Sequence, residues 1–248
     1  MTNWMTYDWE VQNLPAVFHV DMQYAPEPEK LNGHTCLLFL TCSSKHPKKT
    51  GFSALEKMCL DKLLKNAQKV LGNETLFVGY IDLNCQRRYY FYTADPRLVL
   101  SLSELAHNES FIHVECSRTD EPGFDTYYYF LFPDDAKYQT IVNKEYINSL
   151  AKKGDDTSAS RRINLHFCFP SLGSANPFLE EAKNLGFAIG KIDCNEAYEL
   201  PYCITLHIIA PLESRTLNSI TTRAIYAAQK NAGVISRLDC EFVPKNRF

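Results

Sequence analysis

Apolar residues alternate with polar ones along some stretches of this sequence and recur every three to four residues along others, which predicts strands and amphipathic helices. One helix signal begins at Ser53, where Glu56 completes a capping box, and ends at Gly72. A second begins at Asp95, which is followed by a proline suited to the first helical position. Strands rich in aromatic and β-branched residues are predicted around these helices, at residues 16–22, 35–41, 75–83, 88–93 and 111–118.

Two more elements are predicted before a segment of small and polar residues. Residues 127–132 are aromatic or leucine and predict a further strand, and Asp134 opens a helix that Gly154 should end. Residues 154–160 are small or polar, and none of their side chains is expected to anchor in a core. We therefore interpret them as a linker between two domains.

The second half repeats the element order of the first. Its strands are predicted at residues 162–169, 187–193, 202–210 and 234–243, and its helices begin at Asn176 and near Ser214. The order strand-helix-strand-strand-helix-strand thus occurs twice. It predicts an α+β protein made of two ferredoxin-like antiparallel-sheet sandwiches in tandem, the first with extra N-terminal and C-terminal elements. The predicted domains are residues 1–153 and 161–248.

Strand alternation in the second half brings four side chains with ligand chemistry to one face of the sheet. They are His166 and Cys168 on the first strand and Cys203 and His207 on the third, and these two strands are neighbours in the predicted topology. Imidazole and thiolate suit a zinc site or a Cys-His nucleophile pair. Strand geometry alone explains a shared face, and no Cys-x-x-Cys pair is present. We therefore favour a structural interpretation and predict no metal, cofactor or catalytic residue.

The third strand of the first half carries an uninterrupted run of large residues, Arg87-Arg88-Tyr89-Tyr90-Phe91-Tyr92. RNA-recognition modules place stacking aromatic residues on this strand, so RNA or small-molecule binding by a tyrosine-rich sheet is one hypothesis. A strand that is apolar on both faces is explained more simply by cover on both faces. We favour the second interpretation, in which nucleic acid is not the partner.

Composition narrows the classes of function. A net charge of −3 over 248 residues provides no long-range attraction to nucleic acid or to an anionic membrane. No apolar run reaches the roughly 20 residues of a membrane span, and the first residues lack the pattern of a secretion signal. We therefore expect a cytoplasmic protein, and we interpret its nine cysteines as reduced, mostly buried thiols. Motifs for phosphate binding, serine hydrolysis and zinc proteolysis are absent, which favours a protein without catalytic activity.

Each half of the sequence resembles a known family. Residues 87–96 resemble the Arg-x-aromatic-Tyr-Phe-Tyr-x-Ala-Asp-Pro run of the bacterial domain of unknown function 695, and residues 129–133 are similar to a later strand of that family. Residues 162–167, with Phe178, Ala182 and residues 185–187, resemble the regulator of ribonuclease E activity B. The second family often follows the first in one chain, so their order here supports both resemblances.

The resemblance implies a ferredoxin-like fold and a regulator that inhibits an RNA-degrading endonuclease by direct protein contact. Our leading hypothesis is therefore a non-enzymatic protein that binds another protein. The alternatives are the RNA or small-molecule module described above and an enzyme or metal site centred on the Cys/His cluster. Neither ribonuclease E as a target nor self-association is decided by the sequence.

Candidate contact residues are chosen from strand positions expected to point outward. In the first half they are Arg88, Tyr90 and Tyr92. In the second half they are Arg237, Asp239 and Glu241, which should alternate with Leu238 and Cys240 along the last strand.

Overall fold

The computed structural model describes residues 3–46 and 51–245. It is a mixed protein with two antiparallel sheets and, in the described residues, five α-helices. The chain divides into two compact units, Met1–Pro133 and Asp134–Phe248. Our predicted boundary at residues 154–160 lies one helix further along the chain, and as a division between folding units it stays a prediction.

The first unit is built on a six-stranded sheet with the order β1-β2-β4-β5-β3-β6. Two α-helices pack on it. Its elements are β1 (Trp4–Val11), β2 (Leu14–Asp21), β3 (Cys36–Ser43), α1 (Ala54–Leu71), β4 (Leu76–Leu83), β5 (Gln86–Thr93), α2 (Leu98–His107) and β6 (His113–Asp120). Short 3-10 turns at Met22–Tyr24 and Pro28–Leu31 join β2 to β3.

The hairpin of β1 and β2 extends this sheet beyond the elements that we predicted. Its turn residues, Gln12 and Asn13, have φ values of 53° and 64°. Positive φ at both central residues is what a two-residue turn of the primed kind requires. Strand β1 went unpredicted because Gln-Asn is a much weaker turn signal than Asn-Gly.

The middle of the first sheet is covered on both faces. On the helical face, Leu38 and Leu40 of β3 and Tyr89 and Phe91 of β5 form a buried cluster with Leu60 and other residues of α1. On the other face, Tyr90 and Tyr92 of β5 are also buried. Cover on both faces, which we favoured for the aromatic strand, is therefore confirmed.

The cover on the second face is a helical segment, Thr126–Leu131, where we had predicted a strand. The prediction was wrong because this segment packs its aromatic rings on the face of the sheet, whereas a strand would have paired with an edge of the sheet. Phe130 meets Phe18 and Tyr90 at centroid distances of 5.5 and 6.3 Å. The Tyr127 hydroxyl donates to the carbonyl of Asp21 (2.7 Å). Burial of aromatic surface outweighs the strand propensity of the sequence.

Up to residue 245, the last that the structure describes, the second unit has a four-stranded sheet with the order β10-β7-β9-β8 and three helices. Its elements are α3 (Asp135–Lys152), β7 (Arg161–Phe169), α4 (Leu172–Asn184), β8 (Ala188–Cys194), β9 (Tyr202–Ala210), α5 (Ser214–Gln229) and β10 (Val234–Cys240). In each unit the first and third strands of the repeated order are paired, β3 with β5 and β7 with β9. This is the pairing that the element order predicted.

Helix α4 begins earlier than the predicted start at Asn176. The Ser171 hydroxyl accepts from the backbone N–H of Ser174 (3.1 Å) and so caps the helix one turn upstream. Pro177 consequently lies inside the helix and removes one backbone hydrogen bond.

A buried polar contact attaches α3 to α5. The side chain of Asn143, 0% exposed, donates to Asn218 Oδ1 and Thr221 Oγ1 at 2.9 Å each. It also accepts from Gln139 Nε2 (3.0 Å). Both polar atoms of the buried Asn143 side chain therefore have partners, and these hydrogen bonds hold α3 to the second unit.

The segment predicted as an unanchored linker is in fact tied to the second unit. The Asp155 carboxylate is 0% exposed, lies 2.7 Å from Arg161 Nη1 and accepts from the backbone N–H of Val243 (2.9 Å). Our expectation that no side chain of this segment anchors in a core was wrong. Asp155 can be buried because Arg161, six residues later, pairs with its carboxylate. Among the helices within residues 3–46 and 51–245, none combines the length and apolar composition that a bilayer crossing demands.

Candidate interaction face of the second unit

The sheet of the second unit has one apolar face and one polar face. Along β7, Ile163, Leu165 and Phe167 are buried, whereas Asn164 and His166 between them are only half-buried. Strand β9 repeats the pattern, with Ile204 and Leu206 buried and Thr205 half-buried. Because side chains alternate along a strand, the polar residues of β7, β9 and β10 share the face opposite the core. We call it the polar face.

His166 lies at the centre of a hydrogen-bonded chain on the polar face. Its Nε2 is 2.7 Å from Asp239 Oδ2 on β10, and its Nδ1 is 3.0 Å from Thr205 Oγ1 on β9. Ionised Asp239 can only accept, so Nε2 carries the hydrogen of that bond. In the neutral ring Nδ1 then accepts from the Thr205 hydroxyl. One imidazole thus connects three strands.

Asp239 is held from a second side by Asn164, whose Nδ2 donates to Oδ1 (2.6 Å). Partial burial raises the pKa of Asp239, but the hydrogen bonds from Asn164 and His166 outweigh that effect and place the pKa below its usual value. Asp239 is therefore a fixed anion on the polar face at neutral pH. Arg237 Nε lies 3.6 Å from the same carboxylate.

His207 forms a separate contact with Arg162, whose Nη2 lies 3.1 and 3.0 Å from the two ring nitrogens. Desolvation, and then the positive charge of Arg162, lowers the pKa of His207. The ring is consequently neutral at pH 7. A Cβ at Gly190 would come within 2.1 Å of His207 Cε1, so the ring depends on a glycine in β8.

The four residues of the predicted Cys/His cluster are on the polar face, but in three separate interactions. Cys168 and Cys203 are directly opposite each other in the β7–β9 register and form a disulfide. This corrects our interpretation of all nine cysteines as reduced thiols: a direct cross-strand pair brings the two sulfur atoms within bonding distance. His166 and His207 have the partners described above. In the described part of the chain, no group of three or more His, Cys, Asp or Glu residues is arranged to hold a metal ion.

The candidate contact residues of the first half have different outcomes. Tyr90 and Tyr92 are 3% and 0% exposed, so their selection as surface residues was wrong. Tyr90 packs edge-on against Phe39, and the Tyr92 hydroxyl donates to Glu121 (2.6 Å). Arg88 is exposed, with Nε donating to Thr41 Oγ1 (3.0 Å), and its role in contacts stays a prediction.

The candidates of the last strand remain accessible. The side chains of Arg237 and Asp239 are 69% and 44% exposed. Glu241 is exposed just beyond the end of β10, and its backbone carbonyl accepts from Arg161 Nη1 (3.1 Å). The sequence did not identify Asn164, Thr205 and Arg162 as their neighbours. The two-residue alternation along β7 and β9 was the signal that put Asn164 and Thr205 on this face. It could not show which of these residues lie beside Arg237 and Asp239, because the pairing of β10 with β7 contains a register shift between Ile235 and Arg237.

Comparison with known protein families divides the chain in the same order as the fold. The model of the family of unknown function (DUF695) matches residues 2–132, and that of Regulator of ribonuclease activity B matches residues 140–235. This tandem confirms the two resemblances noted in the sequence. No curated protein matches the chain. A solved structure, an unknown protein from Galdieria sulphuraria, is 10% identical over 84% of this chain and 98% of its own, with a TM-score of 0.23.

Proposed function

Because the chain belongs to the family of unknown function (DUF695) and its second unit matches Regulator of ribonuclease activity B, we propose that it is a non-catalytic protein that binds a ribonuclease and lowers its activity. The observation that carries this proposal is the extent of the second match, residues 140–235, which runs from within α3 into β10. We place the protein in the bacterial cytoplasm, where such a target acts on RNA.

We assign the contact with the ribonuclease to the polar face. Arg237 and Asp239 on the edge strand β10, with Glu241 just beyond its end, offer charges of both signs, which suits a protein surface better than the uniformly negative phosphate backbone of RNA. The bonds from Asn164 and His166 fix Asp239 before any partner arrives. A side chain that is already ordered loses less conformational entropy on binding.

For the fold we propose that each unit contains a ferredoxin-like set of six elements. The strand orders β4-β5-β3-β6 and β10-β7-β9-β8 both put the first and third strands of the set at the centre. Two helices connect each set, as the βαββαβ arrangement requires. The β1–β2 hairpin and α3 are additions to this common plan.

Affinity capture from the source cell, followed by mass spectrometry, tests the proposal. We expect a ribonuclease among the captured proteins, and we expect the purified full chain to slow RNA cleavage by that enzyme. The variant Arg237→Glu should weaken both effects. Its matched control is Arg215→Glu, which reverses the charge of an exposed arginine on α5. A full chain that captures RNA instead, or an Arg237→Glu variant that inhibits as well as wild type, would contradict the proposal.

A further inference from the structure

The first unit contains a cavity of about 320 Å³ that neither family description accounts for. It lies where the end of α1 meets β1, the end of β2 and the start of β4. Its lining combines aromatic rings with polar groups. The lining residues that matter here are Trp4, Asp21, Tyr24, Leu71, Phe77 and Phe91.

Asp21 supplies negative charge to the cavity wall. It is 7% exposed, and its two carboxylate oxygens accept from the backbone N–H and the side-chain amide of Gln23 (3.1 and 2.6 Å). Among the residues that the structure describes, no lysine, arginine or histidine pairs with it. A carboxylate buried among neutral donors alone gains from a cation placed beside it.

The C-terminal end of α1 also contributes negative charge to the cavity. Leu71, the last residue of this helix, and the following Gly72 both line the cavity. The C-terminus of a helix carries partial negative charge and favours a cation within its last turn. Two independent features, a carboxylate and a helix C-terminus, thus attract positive charge to one place.

Aromatic rings form part of the remaining wall, together with the polar residues Gln68, Asn73 and Thr75. The centroids of Trp4 and Phe77 are 5.3 Å apart, and those of Phe77 and Phe91 are 5.0 Å apart. Tyr24, which is also buried, lines the cavity from the turn that follows β2. Aromatic rings attract organic cations through the negative faces of their π-systems, and groups of such rings bind quaternary ammonium ions.

We propose that this cavity binds an organic ammonium ion, with Asp21 as its counter-ion and the rings of Trp4, Tyr24, Phe77 and Phe91 as its walls. A small inorganic cation would leave most of the space and the aromatic surface unused, and a neutral apolar ligand would leave the carboxylate without a positively charged partner. The combination of rings and charge therefore selects a cation with an apolar surface.

Asp21 also has a structural role, and the test has to separate the two. Its side chain caps the 3-10 turn Met22–Tyr24 by accepting from Gln23. Asparagine caps helices as well as aspartate does, so Asp21→Asn keeps the cap and removes the charge. Glu10→Gln removes one charge from an exposed position in the same β1–β2 hairpin and serves as the control.

Choline and its neutral isostere 3,3-dimethyl-1-butanol are the probes, titrated into the full chain. The variant Trp9→Phe leaves Trp4 as the single tryptophan, so its emission reports on the cavity. We expect a saturable change with choline and none with the isostere. Calorimetry should show affinity for choline reduced by about tenfold in Asp21→Asn and unchanged in Glu10→Gln. Trp4→Leu should weaken binding by about threefold.

Vesicles of phosphatidylcholine form a second arm of the experiment. Saturation by free choline indicates a small-molecule ligand, saturation by vesicles alone indicates a lipid headgroup, and either supports an ammonium site. Equal responses to choline and the isostere would overturn the proposal. So would undiminished affinity in Asp21→Asn, or no saturation in either arm with a protein whose thermal unfolding shows that it is folded.

Discussion

The central strands of the first unit's sheet are packed on both faces, whereas the sheet of the second unit presents half-exposed polar side chains on one face. Strand β5 of the first unit has four consecutive buried aromatic residues, Tyr89 to Tyr92. Strand β7 of the second unit alternates, with His166 half-buried between Leu165 and Phe167. A common strand order therefore supports two different uses, since a covered face contributes stability and an open face offers contacts.

The difference comes from the segments that each unit adds to the common elements. In the first unit the chain continues past β6 into the segment Thr126–Leu131, which lays its rings on the second face. Glu121 holds the start of this segment by accepting from the N–H and hydroxyl of Thr126 (2.6 and 2.8 Å). In the second unit the added element, α3, packs on α5 instead and leaves the polar face uncovered.

The largest effect is expected from a truncation under the cover of the first sheet. Tyr90→Ala removes a buried ring that contacts Phe39 and Phe130, and it should lower the free energy of unfolding by about 3–5 kcal/mol. Denaturant unfolding of the full chain measures the change. Tyr129→Ala is the control, because the Tyr129 side chain is exposed, and it should cost no more than about 0.5 kcal/mol. Equal costs would mean that the second face is not covered in solution.

A smaller effect is expected from the polar contact that fixes α3 to the second unit. Asn143→Ala leaves Asn218 and Thr221 each without one partner, which should cost about 1–3 kcal/mol in denaturant unfolding. Ser149→Ala changes an exposed position on the same helix and should be near neutral. If the two variants unfold alike, α3 does not belong to the packed part of the second unit, and our predicted boundary at residues 154–160 becomes the better one.

Local signals in the sequence predicted most of the fold. The capping box at Ser53 is present, with Ser53 N–H donating to Glu56 Oε2 (2.8 Å) and Ser53 Oγ accepting from Glu56 N–H (3.3 Å). The element order also followed from such local signals, and the order in turn predicted the central pairing of both sheets. Periodicity and caps are properties of a few consecutive residues, so they can be recognised without knowing the tertiary structure.

Features that depend on distant residues could not be predicted in the same way. The helical form of residues 126–131 depends on Phe18 and Tyr90, and the buried state of Asp155 depends on the backbone of Val243. At the candidate site, alternation correctly put His166 and Asp239 on outward positions. Their hydrogen bond required the register of β10 against β7, which a bulge shifts in a way that no local pattern encodes.

The polar face should make stability depend on pH through Asp239. Its pKa is lower in the folded chain than the usual value of about 3.9, so its contribution is present above that value and is lost as the pH falls through the folded pKa. Between pH 7 and pH 3, the free energy of unfolding should fall further in wild type than in Asp239→Asn, by about 1 kcal/mol or less. Denaturant unfolding at the two pH values measures this difference. Identical losses would show that Asp239 is solvated instead of held by Asn164 and His166.

The smallest effect on stability is expected at Arg237. Comparing its effects on folding and on binding distinguishes a contact residue from a core residue. The side chain is 69% exposed and its nearest carboxylate atom is 3.6 Å away, so Arg237→Ala should change the free energy of unfolding by no more than about 0.5 kcal/mol. Binding of the captured ribonuclease should nevertheless weaken, because an exposed charge at an interface contributes to association without contributing to folding. A variant that loses stability and binding together would assign Arg237 to the fold, and the polar face would then resemble the covered face of the first unit more than its appearance suggests.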